Sequence, residues 1–256
     1  MAENKKIDLS QFPGAYVEEV IVPVPSEVFA VLDKLGQPNW RAELRTQTNQ
    51  LLTARHELAL QFGVVVADGF IAVQAQDKTS IKELGSEVRR LATALAVDKE
   101  VSQHAQSILD NADRNDFEAV RQEFDRVQNT VRDKLRTMRD DDVAQCVSIG
   151  GWLRGTQVVT SLVSQAYDKD KAELLNQPDL VSHFRDLLKV MDPEVRRSPK
   201  LRAVGDGLEK IHAAMEPSAG GMISPTAIET INQECTVLVD AITGPASTGT
   251  PSTETP

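Results

Sequence analysis

Aromatic residues and cysteines are scarce in this 256-residue chain. Phe, Trp and Tyr together make up 4% of it, which favours Leu, Val and Ala packing between helices over an aromatic-rich β-sandwich core. The two cysteines, Cys146 and Cys235, both lie in apolar helical patterns. Since two cysteines make neither a disulfide framework nor a zinc site, we expect two buried free thiols.

Basic residues are outnumbered by acidic ones: the chain has 28 Lys and Arg and 38 Asp and Glu, which gives a formal net charge of −10. This acidic balance argues against non-specific nucleic-acid binding, which needs a net basic face. The first residues, MAENKKIDLSQF, lack the apolar run of a signal peptide, so we expect a soluble, cytoplasmic protein. A chain trimmed of a secretory leader would look the same.

Sequence motifs for common chemistry are missing as well. The chain has no Gly-x-x-x-x-Gly-Lys or Gly-x-Gly-x-x-Gly phosphate loop and no Gly-x-Ser-x-Gly nucleophile elbow. Glu209 and His212 have the Glu-x-x-His spacing that places two di-iron ligands on one helix face. A di-iron bundle needs two such motifs and two more carboxylates, so we favour an exposed pair on a surface helix over a metal site. We predict no cofactor and no catalytic residue.

Two long stretches that are nearly free of charge dominate what is present. Residues 143–167 contain one charged residue, Arg154, and residues 58–76 contain one, Asp68. A helix that is apolar on all sides is a buried helix, so we expect the two central helices of a bundle. For VVVADGFIAV, within the earlier stretch, a β-hairpin around Ala-Asp-Gly is the alternative. A charge in mid-bilayer is costly, so we expect no membrane span.

Amphipathic helices are expected on both sides of these stretches. Asn39 is predicted to cap a long helical run that leads from Trp40 into the first central stretch, and a capping box predicts another helix start at Ser80. The polar run DNADRND (110–116) is expected to be a loop. Four later helices are expected to carry a proline in their first turn: Pro178, Pro193, Pro199 and Pro225.

These patterns predict an all-α fold, a helical bundle with an extended arm at one end and a tail at the other. Residues 1–25 form the arm, because YVEEVIVPVP alternates β-branched residues with prolines and so blocks helix. Residues 26–138 and 139–243 form two multi-helix units packed as one bundle, the first helix covering 26–36. Residues 244–256 form a disordered Ser/Thr/Pro tail.

The two units show matching features in the same order, which suggests an internal duplication. Ala67-Asp68-Gly69 matches Leu153-Arg154-Gly155, and apolar stripes match further along both units. The alternative is that amphipathic helices resemble each other because they share a period. If the duplication holds, Asp68 and Arg154 pair across a pseudo-twofold axis, and Gly69 and Gly155 let the two backbones approach there. The alternative is that each charge reaches solvent at a helix edge.

The sequence Gly150-Gly151-Trp152 has two interpretations. Each glycine costs about 1 kcal/mol of helix stability, so the pair must serve a purpose. Either a neighbouring helix packs closely on the glycines, or they form the wall of a ligand pocket with Trp152 as its floor. Two basic clusters either hold an acidic partner or form solvated surface: Arg132, Lys134, Arg136 and Arg139, and Arg196, Arg197, Lys200 and Arg202.

The favoured function is a non-enzymatic soluble helical scaffold that engages another protein, with a homo-oligomer left open. The first alternative is a small-ligand-binding or enzymatic bundle whose pocket lies between the central helices near Asp68, Trp152 and Arg154. A third is a metal-binding bundle that uses Glu209 and His212. Neither nucleic acid nor a membrane is expected as a partner.

Overall fold

The computed structural model describes residues 15–17, 20–22, 38–46, 52–173, 175–216 and 223–244. Within the arm, Ala15–Val17 (β1) and Val20–Val22 (β2) pair in antiparallel fashion, and β2 lies close to the helix formed by Pro178–Val190. This part of the arm is extended, as predicted. The helix expected at 26–36 and the tail beyond Gly244 lie outside the described residues.

The fold is all-α, which confirms the predicted class. Trp40–Glu43 forms a short 3-10 helix. The α-helices in the described part of the chain are α1 (Arg55–Gln74), α2 (Lys78–Ala94), α3 (Asp98–Asp113), α4 (Phe117–Thr137), α5 (Asp141–Gln165), α6 (Lys169–Glu173), α7 (Pro178–Val190), α8 (Pro193–Arg196), α9 (Pro199–Met215) and α10 (Pro225–Thr243). Each of the four predicted prolines occupies the first turn of its helix, at the start of α7, α8, α9 and α10.

Helix α1 includes VVVADGFIAV, so the hairpin alternative is wrong. The continuous helix predicted from Trp40 is also wrong. Leu44 is extended, at φ −67° and ψ 142°, and α1 begins only at Arg55. Asn39 makes no side-chain capping hydrogen bond. Tertiary contacts of Glu43 and Arg45, described below, hold this segment across the ends of other helices and explain why it leaves the helical conformation.

Two further helix boundaries differ from the prediction. At the start of α2 the reason is that the backbone conformation of the preceding residue decides which residue caps the helix. Gln76 takes a left-handed conformation, φ 50°, that closes α1, and Asp77 then caps α2 by accepting a hydrogen bond from the Ser80 amide over 2.9 Å. Ser80 is therefore inside the helix. Likewise α3 runs on to Asp113, and only residues 114–116 connect it to α4.

Helices α1 and α5 lie side by side at the centre of the bundle. All residues from Leu58 to Val73 are buried, as are all from Val143 to Thr156. Arg55 contacts Asp140 over 2.6 Å where both helices begin, and further contacts join them towards their C-terminal ends, so they run in the same direction. Among the described helices α1 alone is long and apolar enough to cross a membrane, and 89% of that apolar window is buried inside the protein.

The remaining long helices surround this centre in two similar groups. Helices α2, α3 and α4 follow one another around α1, and α7, α9 and α10 follow one another around α5. The last helix of each group also contacts the central helix of its own group, α4 on α1 and α10 on α5, and the other central helix as well, α4 on α5 and α10 on α1. This arrangement is what a duplication would produce, although similar helix order alone does not confirm a duplication, which stays a prediction.

The central helices cross backbone to backbone at two glycines. A Cβ on Gly63 would lie 2.1 Å from the main-chain oxygen of Val147, and a Cβ on Gly150 would lie 2.0 Å from that of Leu60. Close packing therefore explains Gly150. Gly69 does not serve the crossing as predicted, because six residues at 100° each rotate it away from the Gly63 face. It lies against the Phe124 ring of α4 instead.

Candidate functional site

Asp68 and Arg154 form a buried ion pair between the central helices, which confirms that they meet. Nε of Arg154 donates to Oδ1 of Asp68 over 2.6 Å, and the two side chains are 2% and 5% exposed. The alternative that each charge reaches solvent at a helix edge is therefore wrong. Burial of two charges is tolerated only where each finds further hydrogen-bond partners.

Protein groups accept hydrogen bonds from all three nitrogens of the Arg154 guanidinium. Nη1 donates to Oε1 of Gln157 over 2.8 Å, and Nη2 donates to the main-chain oxygen of Glu43. Glu43 belongs to residues 38–46, a segment that we call the strap. The Glu43 carboxylate accepts a hydrogen bond from the Ser161 hydroxyl over 2.8 Å. The strap thus contacts α5 both at the buried Arg154 and at Ser161, one side of the ion pair being covered by Glu43.

Arg45, also in the strap, brings a second guanidinium to this cluster. Its Nη2 donates to Oγ1 of Thr243 over 2.7 Å and to Oδ1 of Asp240 over 3.2 Å, at the end of α10. Burial lowers the pKa of Arg45; the negative charge of Asp68 raises it, and the positive charge of Arg154 lowers it. Arg45 therefore lies within electrostatic range of both members of the buried ion pair.

A second set of hydrogen bonds ties the cluster to α10. Nε2 of Gln157 donates to the Thr236 hydroxyl over 3.0 Å. Nδ2 of Asn232, one turn earlier on α10, donates to the main-chain oxygen of Gln157 over 2.8 Å and to the Thr160 hydroxyl over 2.9 Å. Four parts of the chain, α1, α5, α10 and the strap, thus meet in one polar network inside an apolar bundle.

Trp152 lies apart from this network, on the side of α5 that faces α7. Its Nε1 donates to Oε1 of Gln177 over 3.0 Å, and its ring meets the Phe184 ring edge-on at a centroid distance of 5.6 Å. Two residues along a helix correspond to a rotation of 200°, so Trp152 and Arg154 point in nearly opposite directions. The structure brings Asp68 and Arg154 together and leaves Trp152 in a separate packing contact.

The backbones of the central helices touch at the glycine crossing, and the strap lies against Arg154 and Ser161 of α5. A cleft of about 240 Å³ lies elsewhere among the described residues, between α7, α8 and α9. The ligand-binding role predicted for Asp68, Trp152 and Arg154 therefore stays a prediction, and none of the three lines this cleft.

Glu209 and His212 each contact α7 through a different side chain. The Glu209 carboxylate pairs with Arg185, and Nε2 of His212 lies 2.9 Å from the Ser182 hydroxyl. Within the described ranges, no three His, Cys, Asp or Glu side chains are grouped so as to hold a metal ion. Cys146 and Cys235 are buried free thiols, as predicted, and burial raises the pKa of both well above its usual range.

The residues that sequence reasoning missed are those whose role depends on distant contacts. Glu43 and Arg45 looked like part of a helix, and nothing local indicates that they reach α5 and α10. Gln157 could have been found, because it lies three residues after Arg154 and hence on the same helix face.

No family model matches this chain, and neither a curated protein nor a solved structure matches it. Its function must therefore be inferred from the contacts within the molecule itself.

Proposed function

We propose that this chain is a non-enzymatic helical scaffold of the cytoplasm that binds another protein through its surface. The observation that carries the proposal is the saturated polar cluster at Asp68 and Arg154. Small-molecule sites are open concave pockets in which a few polar groups point at the ligand. Here the polar groups point at one another, and the strap covers them.

A structural role accounts for the cluster without a ligand. A buried ion pair is weak evidence of stability, but it can fix one register between helices that would otherwise slide on apolar surfaces. At the Gly63 and Gly150 crossing the two backbones touch, so a small axial shift would cause a clash. The central helices therefore act as a rigid core, which leaves the outer helices as the surface available for partners.

One observation favours the alternative, a bundle that binds an acidic small molecule. The main-chain oxygen of Glu43 accepts from Arg154, so the strap occupies the position that an oxygen of such a ligand would take. None of the strap residues is fully buried, but Trp40 and Leu44 pack against the core, so displacement of the strap would expose apolar surface. This alternative requires the strap to leave.

Native mass spectrometry of the full chain, purified gently from its own cells and lightly cross-linked beforehand, separates these functions. The scaffold proposal predicts the 28.1 kDa chain in complex with a second polypeptide. A small discrete mass increment on the chain would overturn it in favour of a ligand or metal. A bare monomer after cross-linking would also contradict it, whereas multiples of the chain mass would identify the partner as a second copy.

A further inference from the structure

The cleft between α7, α8 and α9 combines an apolar floor with a charged rim. Leu188 of α7 and Leu201 of α9 form the apolar part. Four basic side chains line the cleft, together with two acidic ones, Asp206 and Glu209. The basic residues are Arg185, Lys189, Arg196 and Arg202. The cleft therefore carries an excess of two positive charges on a protein whose formal net charge is −10.

The basic residues of the cleft divide into two that pair with a carboxylate and two that are exposed. Arg185 pairs with Glu209, and Lys189 donates to Asp186 over 2.9 Å. Arg196 and Arg202 are exposed. With Arg185 paired to Glu209 and Lys189 paired to Asp186, the positive charge left in the cleft is that of Arg196 and Arg202, set against the single carboxylate of Asp206. Arg196 belongs to α8 and Arg202 to the first turn of α9.

The neighbouring basic residue Lys200 has a structural role instead. Its Nζ donates to the main-chain oxygens of Ala241 and Ile242, over 2.8 and 3.1 Å, at the C-terminal end of α10. These carbonyls are among those that a helix leaves without internal partners. The basic cluster noted in the sequence thus contains both a helix-end contact and charges that point into a cleft.

We propose that this cleft binds an acidic segment of the partner protein, one that carries apolar side chains between its carboxylates. The proposal rests on the scaffold function proposed above and assigns its binding surface. Arg196 and Arg202 pair with the carboxylates, since guanidinium groups bind carboxylates through two parallel hydrogen bonds. Leu188 and Leu201 receive an apolar side chain.

The size and charge of the site favour a peptide segment over other anions. A volume of about 240 Å³ lies below the range of roughly 300–1,000 Å³ typical of drug-sized ligands, but it holds a few side chains. A nucleic acid would present phosphates along its whole length to a surface that is acidic overall, which opposes binding. Local positive charge on a negative protein also gives an acidic segment one preferred docking position.

Fluorescence anisotropy tests the proposal with the full chain and a short labelled peptide in which pairs of Glu alternate with single Leu. The test variant is Arg196→Glu/Arg202→Glu, and the matched control is Arg89→Glu/Arg114→Glu, at exposed positions of the other helix group. Each Arg→Glu change lowers the net charge by two, so both variants go from −10 to −14. The glutamate at position 202 enters a first turn without acidic residues, where the helix dipole favours it, so folding is retained.

We expect the cleft variant to lose at least about tenfold in affinity for the peptide and the control less than about twofold. Replacing the peptide's Leu by Ser should also weaken binding to the unmodified chain. Three results would overturn the proposal: no binding to the unmodified chain, equal losses in both variants, or tighter binding of a thymidine oligonucleotide than of the peptide at the same cleft.

A second readout distinguishes failure of the cleft from failure of the scaffold function. The partner identified by cross-linking and mass spectrometry is tested against the same two variants. If it binds the cleft variant as tightly as the unmodified chain, the scaffold function stands and the cleft assignment falls. If cross-linking yields no partner at all, the scaffold function falls.

Discussion

Removing the charge of Asp68 should destabilise the protein far more than removing one from its surface. We consider Asp68→Asn, which keeps the side-chain volume. In the structure Asp68 is 5% exposed, pairs with Arg154 and attracts Arg45 electrostatically. Its neutralisation leaves the buried Arg154 guanidinium without a counter-charge and close to Arg45, which keeps its ion pair with Asp240.

The expected cost follows from this geometry. Breaking a buried pair by removing one partner costs about 3–5 kcal/mol, because the remaining charge is left uncompensated. We expect about 4 kcal/mol for Asp68→Asn and a smaller loss, about 3 kcal/mol, for Arg154→Met, because Arg45 stays near the remaining carboxylate. In the double variant no unpaired arginine remains at position 154. The stability lost by the double variant should therefore be about 2 kcal/mol smaller than the sum of the two single losses.

Urea unfolding followed by far-ultraviolet circular dichroism measures these free energies, with unchanged m-values as the check that unfolding stays two-state. The control is the partly exposed pair of Arg185 and Glu209, where Glu209→Gln should cost less than about 1 kcal/mol. Losses at Asp68 and Arg154 that add within about 0.5 kcal/mol would refute the coupling.

Three further predictions concern the core. Gly63→Ala should destabilise the protein by at least about 2 kcal/mol, although alanine favours helix, because the added Cβ would lie 2.1 Å from a main-chain oxygen. Gly205→Ala should instead stabilise it by up to about 1 kcal/mol, because the nearest atom to the added Cβ is 4.0 Å away. Equal effects of the two changes on thermal unfolding would contradict the crossing. Trp152→Ala should cost about 3–5 kcal/mol, as large core truncations do; a variant that keeps its unfolding midpoint but loses a bound ligand would favour the pocket. Cys146 and Cys235 should react with Ellman's reagent only upon unfolding, since burial raises the pKa of both thiols. Rapid labelling of the native protein would contradict the burial of the thiols.

The local signals that proved accurate are those that do not depend on a distant neighbour. A nearly charge-free stretch must be buried wherever its neighbours lie, so α1 and α5 were predictable as central helices. Proline at a helix start acts through its own fixed φ and its missing amide hydrogen, and each of the four predicted prolines begins a helix.

The local signals that misled are those with a competitor nearby in space or sequence. Ser80 has the pattern of a capping residue, but Asp77 precedes it and accepts the amide hydrogen bond that defines the cap. Trp40 to Arg45 has helical composition, but hydrogen bonds to α5 and α10 hold part of the strap extended. Helix propensity differs by only tenths of a kcal/mol per residue, so a few tertiary hydrogen bonds outweigh it.

The sequence by itself determined that this protein is an all-α bundle around two apolar helices, since hydrophobic periodicity and lone charges are local properties. Only the tertiary structure decided how those helices meet. It placed the close crossing at Gly63 and Gly150 rather than Gly69, closed the Asp68–Arg154 pair with the strap, and left Arg196 and Arg202 at an open cleft. Which helix face meets which neighbour depends on rotation and crossing geometry, and these are set by the whole core at once.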